Sequence, residues 1–181
     1  MPELAATWAE DVLGYWFGLE PSQWWRDASL DAEIAERFRE TWEEQRQLPA
    51  EAFLGSAREA LAAVLLFDQF PRNMFREHAD QFATDPLALA VAKGAVARGY
   101  DDGLSVAERG FLYMPFQHSE DLREQTQSLL LFTALGDEEQ LKFARLHHDV
   151  IARFGRFPHR NKVLGRKARA DELAADDVVP W

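Results

Sequence analysis

The chain has no cysteine among its 181 residues, which excludes disulfides, thiolate nucleophiles, iron–sulfur ligation and cysteine-based zinc sites. Long apolar runs are missing too: the longest, Ala60 to Phe67, is far short of the roughly 20 residues that span a bilayer. Glycine is sparse, 10 in all, and none forms a phosphate-cradling loop. No His-Glu-x-x-His pattern occurs, and Met1-Pro2-Glu3 is not a basic leader followed by an apolar stretch. The expectation from these absences is a cytoplasmic protein without a membrane segment, and no cofactor or metal is identified.

What the chain does have is 47% hydrophobic and 28% charged residues, the balance of one globular domain over 1–181. A chain of this size buries roughly 70% of its unfolded surface and needs no staple to fold. Its net charge of −11 argues against nucleic acid, whose binding depends on Lys and Arg replacing phosphate counterions. The charge is uneven, however. Between Val150 and Ala170 stand Arg153, Arg156, Arg160, Lys162, Arg166, Lys167 and Arg169 with no acid, so +7 there leaves −18 for the rest.

Hydrophobic spacing is helical almost throughout, cut by Gly, Pro and capping residues into about eight segments. The first is expected near Thr7 to Phe17, and a second near Leu30 to Gln47 with Ile34, Phe38 and Trp42 on its inner stripe. A capping box of Ser56 and Glu59 opens the third, which should end before Pro71. Asp85-Pro86 opens a fourth that stops at Gly99. Ser105 and Glu108 box the fifth, expected to end before Pro115, and Ser119 caps a sixth that ends at Gly136. Asp137 and Gln140 open a seventh, closed after Phe154 by Gly155, and a short eighth lies near Ala170. Short connections predict an all-α stack of antiparallel helical hairpins or an irregular bundle.

Alternating directions would bring the C-terminal loops of the third, fifth and seventh helices to one end. Those loops read Asp68-Gln69-Phe70-Pro71-Arg72-Asn73, then Tyr113-Met114-Pro115-Phe116-Gln117-His118-Ser119-Glu120-Asp121, then Arg156-Phe157-Pro158-His159-Arg160-Asn161. His, Arg, Asn and carboxylate side chains thus gather at one rim, as a binding or catalytic site requires. Each Arg singly also fits helix-end compensation, worth about 0.3–1 kcal/mol, and Pro and Asn are ordinary turn residues. Capping does not, however, require His118, His159 and two Arg-Asn pairs on one side.

In the seventh helix, Phe143, His147, Val150 and Phe154 fall within about 60° of one another, which puts His147 in the apolar arc. It is either a core histidine bonded to a backbone carbonyl or a group on a pocket floor acting near neutral pH. His148 falls at the edge of the arc. His118, Glu120 and Asp121 with His147 or Asp68 could supply metal ligands, although their spacing matches no ligand motif. Ser119 lacks a nucleophile-elbow context and reads as a helix cap. Trp8, Trp16 and Trp42 have core spacing, and Trp24 and Trp25 read as packing rather than as a ligand platform.

At these loops the chain resembles the bacterial family called domain of unknown function nine-two-four. The resemblance rests on Asp68 to Asn73, Ala83-Thr84-Asp85, Phe111 to Phe116, His118-Ser119-Glu120, Arg153 to Asn161 and Leu164-Gly165-Arg166. It implies an all-helical fold similar to the tetratricopeptide superfamily and no settled reaction. The chain itself has no 34-residue tetratricopeptide consensus. Its end departs from the family pattern: Lys167 to Glu172 stands where a Ser-Thr-Pro-Glu-Glu-like helix start is expected.

The leading expectation is a helical scaffold with a polar pocket for a small anionic molecule. Arg72, Arg156 and Arg160 would hold the anion, with Asn73, Asn161 and Tyr113 also lining the site. His147, His159 and His118, with Asp68 or Glu120, are the acid–base candidates. The alternatives are a tetratricopeptide-like module presenting a groove to a protein or peptide partner, and a metal-dependent hydrolase.

Overall fold

The computed structural model describes residues 7–25 and 27–175, and every regular element among them is helical. The leader-free reading of Met1-Pro2-Glu3 lies outside the described residues. The α-helices are α1 (Thr7–Phe17), α2 (Asp31–Gln45), α3 (Ala57–Val64), α4 (Phe70–Met74), α5 (Asp85–Ala97), α6 (Val106–Gln117), α7 (Leu122–Leu135), α8 (Glu138–Phe154), α9 (Asn161–Leu164) and α10 (Ala170–Leu173). Short 3-10 turns, including Ala79–Phe82 and Pro158–Arg160, fill several links. No described helix is long and apolar enough to cross a membrane.

Most helix ends obey local chemistry. The hydroxyls of Ser56 and Ser105 accept from the backbone N–H groups of Glu59 and Glu108, and Asp137 accepts from Gln140. Gly136 and Gly155 close α7 and α8 at φ of 80° and 72°, a conformation that costs a residue with a Cβ.

Four boundaries differ from the sequence expectation, each for a physical reason. The third helix does not stop before Pro71. It passes through a π-helical turn, Leu65–Gln69, where the Phe70 N–H reaches Leu65, and resumes as α4 with Pro71 in its first turn, where a missing N–H costs nothing. α6 likewise runs through Pro115 to Gln117. An interior proline costs about 3 kcal/mol, and here burial of Phe111 to Gln117 outweighs that penalty. Asp121, not Ser119, caps α7, because its carboxylate accepts from the Arg123 N–H. Asp85 is the first helical residue of α5 and Thr84 its N-cap, which frees the Asp85 carboxylate for a distant partner.

The core is aromatic. Phe70 packs against Phe38, Tyr15 and Trp16 at ring separations of 4.9, 6.3 and 5.8 Å, and Trp16 meets Phe111 at 5.6 Å. Trp24 donates its indole N–H to the Trp16 carbonyl at 2.9 Å, and Trp25 stacks on Phe111, so this pair packs over the core. α3 lies against α1, α5 and α6, while α7 lies between α6 and α8. This arrangement brings the π-turn after α3, the C-terminal end of α6, the inner face of α8 and the Pro158–Arg160 turn into contact.

Candidate polar site

At the centre of this contact is Asp68, the last of four consecutive buried residues in the π-turn and only 2% exposed. A π-turn carries more residues per turn than an α-helix and re-aims the side chains within it. Both Asp68 carboxylate oxygens lie against Nδ1 of His118, at 2.8 and 3.0 Å. An ionised carboxylate only accepts, so Nδ1 carries the hydrogen and the lone pair of the neutral ring is on Nε2. His118 itself is the C-cap of α6, its backbone N–H held by Met114.

One helical turn beyond Asp68, the Arg72 guanidinium donates to the Asp68 carbonyl at 2.6 Å and makes a bidentate pair with Asp85 at 2.7 and 2.9 Å. Burial works against the Arg72 charge, but Asp85 and Asp68 override it and push its pKa above the ordinary arginine value. Arg160 closes the group from the far end of the chain. It is 7% exposed, donates to the His118 carbonyl at 2.9 Å, and approaches Asp85 at 3.9 Å. Its guanidinium stands 4.3 Å over the Phe82 ring and 4.6 Å over Phe157. Its Nε is buried and has no hydrogen-bond partner among the described residues.

The charges are strongly biased by this packing. Burial and the neighbouring Arg72 lower the Arg160 pKa to about 10, against the pull of Asp85, Glu120 and Asp68. Burial alone would raise the Asp68 pKa, but His118, Arg72 and Arg160 together hold it below the usual carboxylate value.

His147 is in the same neighbourhood, 4% exposed, with its ring 6.1 Å from His118 and 5.6 Å from Phe157. Its Nδ1 is 2.7 Å from the Phe143 carbonyl, the core-histidine arrangement. Burial first, then His118, Arg160 and His159, push its pKa down to about 2, so it is neutral at physiological pH. His159 is exposed on the Pro158–Arg160 turn, its ring 5.6 Å from Phe157.

The remaining predicted residues form locks rather than open donors. Glu120 accepts from the Phe157 N–H at 2.8 Å and takes a bidentate pair from Arg166 at 2.8 and 3.0 Å. Arg156 pairs with Glu172 at 2.6 and 2.9 Å, and Asn161 donates to the same carboxylate at 3.1 Å. Asn73 donates to Asp31, which also binds Arg76. Tyr113 does not join the group: its long side chain reaches back to Asp101 at 2.5 Å, and burial together with that carboxylate raises its pKa. The structure thus gathers Asp68, Arg72, His118, His147 and Arg160, and commits Arg156, Asn161, Asn73 and Tyr113 to other partners.

Sequence reasoning misses Asp85, Phe82, Arg166 and Glu172. Asp85 and Arg166 stand inside the recognisable stretches Ala83-Thr84-Asp85 and Leu164-Gly165-Arg166, but a helix start already accounts for the first. Nothing local marks Phe82 or Glu172. Among the described residues no group of three or more His, Asp or Glu is arranged to hold a metal ion. The ligand set that a metal-dependent hydrolase needs is therefore not assembled there.

Comparison with known proteins agrees with this architecture. A solved structure of a protein of unknown function from Agrobacterium tumefaciens is 40% identical, with a TM-score of 0.86 over 93% of this chain and 96% of that one. No curated protein matches the chain significantly. The family model described as "Bacterial protein of unknown function (DUF924)" matches residues 12–175, and on that span the chain belongs to this family.

Proposed function

We propose that this protein binds a small anionic molecule at the junction of the π-turn, α6 and the Pro158–Arg160 turn, with Arg160 as its principal contact. The observation that carries this reading is the Arg160 guanidinium: buried between two aromatic rings, with an Nε–H that no acceptor among the described residues satisfies. A buried unpaired donor costs about 1–3 kcal/mol, a cost that an acceptor ligand relieves. Arg72 supplies a second positive charge, although Asp85 already engages it, so its part is to offset negative charge rather than to bind. Arg156, Asn161, Asn73 and Tyr113, assigned to the ligand from sequence alone, serve in this reading as the frame around it. The expected cytoplasmic location rests on sequence alone.

Thermal-shift measurements against phosphate, simple phosphate esters and short carboxylates test the proposal. A ligand at one hundred times its Kd adds about 2.7 kcal/mol to stability, and that gain should vanish in Arg160→Lys, which keeps a charge but loses the planar fork. Lack of any response in the parent protein, or an undiminished response in the variant, overturns it.

A second reading is a tetratricopeptide-like stack of antiparallel hairpins offering a face to a peptide or protein. It draws on the packing of α6, α7 and α8 against one another and on exposed Leu122, Leu130, Phe143 and Leu146 on the last two. Loss of a bound partner on Leu130→Ser, with Arg160→Lys without effect, would favour this reading over the first.

A further inference from the structure

Of the five acid–base candidates, geometry favours one pair. His147 is buried in the core, and its Nδ1 lies against the Phe143 carbonyl. It is held neutral, with its pKa near 2, so it does not take up a proton at working pH. Glu120 has both carboxylate oxygens engaged, by Arg166 on two donors and by the Phe157 N–H. His159 is exposed on a turn and open to water, its ring 5.6 Å from Phe157.

His118 differs from all three. Its side chain is 16% exposed while that of Asp68 is 2% exposed, so the accessible member of the pair is the imidazole. Its Nδ1 is bonded to Asp68, and its Nε2 has no hydrogen-bond partner among the described residues. Its backbone carbonyl is bonded to the Arg160 guanidinium at 2.9 Å, which ties the ring to the proposed anion contact.

We infer that Nε2 of His118 is a general base acting on a water or hydroxyl beside an anionic substrate, with Asp68 as the residue that positions it. The step is one proton transfer. The O–H bond breaks, its electron pair stays on oxygen, the hydrogen joins Nε2, and the Nδ1 hydrogen remains on His118 facing Asp68. A buried carboxylate steadies the resulting imidazolium without itself being protonated. The identity of the substrate rests on the anion-site reading above; the role of Nε2 does not.

Diethyl pyrocarbonate, which acylates an imidazole nitrogen bearing a lone pair, is a suitable probe, with peptide mass spectrometry assigning each histidine. His118 should react at least as fast as His78, although His78 is far more open, at 66% exposed. In Asp68→Asn an amide can donate to Nδ1 and shift the hydrogen to Nε2, so modification of His118 should slow at least tenfold while that of His78 is unchanged. Long-range nitrogen–proton NMR on the parent protein provides a readout independent of any variant's folding: the neutral ring should carry its hydrogen on Nδ1.

A His118 that reacts more than tenfold slower than His78, an Asp68→Asn variant that folds and reacts normally, or a hydrogen found on Nε2 would overturn the inference. Inorganic phosphate separates the two proposals. It should protect His118 in the parent and not in Arg160→Lys, and fast modification without protection would overturn the anion reading alone.

Discussion

Asp68 and His118 stand 50 positions apart, yet both Asp68 carboxylate oxygens lie within 3.0 Å of the same imidazole nitrogen. The pair joins the π-turn after α3 to the C-terminal end of α6, and a third element reaches it through Arg160. Removing the carboxylate leaves Asp85, with Glu120 on the Arg160 side, to balance both Arg72 and Arg160 in a buried space. Asp68→Ala should therefore lose about 3 kcal/mol, the usual cost of breaking a buried ionic group by deleting one partner. Denaturant unfolding with an unchanged m-value is the measurement, and a loss below about 1 kcal/mol would mean that the carboxylate does not hold these charges.

The Phe82 ring lies under two guanidinium groups, 4.3 Å from Arg160 and 5.4 Å from Arg72. A double-mutant cycle of Phe82→Leu with Arg160→Met should give a coupling of about 2 kcal/mol, the size of a cation–π contact at a desolvated site. Strict additivity of the two stability losses would show that the ring merely fills space.

Glu172 anchors α10 through Arg156, the Arg169 N–H and Asn161. Its pKa is lowered from 4.5 to about 2, chiefly by the Arg156 hydrogen bond against the opposing effect of burial. A carboxylate with a depressed folded-state pKa contributes stability that is complete above its unfolded pKa and is lost as pH falls through the folded one. Melting temperature should therefore drop between pH 4.5 and about 2. Glu120 and Asp68, also depressed, act in the same direction. Glu172→Gln should begin less stable at neutral pH and show a shallower decline, and parallel curves for the two proteins would refute the anchoring role.

Phe70 is fully buried where Tyr15, Trp16 and Phe38 converge, directly after the π-turn. Phe70→Ala should cost about 3–5 kcal/mol from lost transfer energy plus a residual cavity. Because the Phe70 ring anchors the chain directly after the π-turn that aims Asp68, its loss should also weaken the tautomer order of His118 by NMR. Leu130→Ala, exposed on α7, should change neither.

Where helices begin and end is largely legible in the local sequence. Ser56, Ser105 and Asp137 cap as expected, and Gly136 and Gly155 terminate as expected. The departures share a form. Pro71, Pro115 and Ser119 look like local punctuation, and in each case burial of the surrounding aromatic segment or a better-placed carboxylate prevails. The gathering of the Asp68, His118 and Arg160 stretches is legible from helix order, since short connections leave few ways to arrange consecutive helices.

The missing cysteines, the helical periodicity and the caps are properties of the sequence within a few residues, and they determined an all-α chain with polar loops of unusual composition. Which arginine meets which carboxylate was decided only by the tertiary structure. Every guanidinium carries five donors and will pair with any acceptor within reach, so local sequence cannot separate Arg72, held by Asp85, or Arg156, held by Glu172, from Arg160. Only packing between Phe82 and Phe157 leaves the Arg160 Nε–H buried with no acceptor among the described residues.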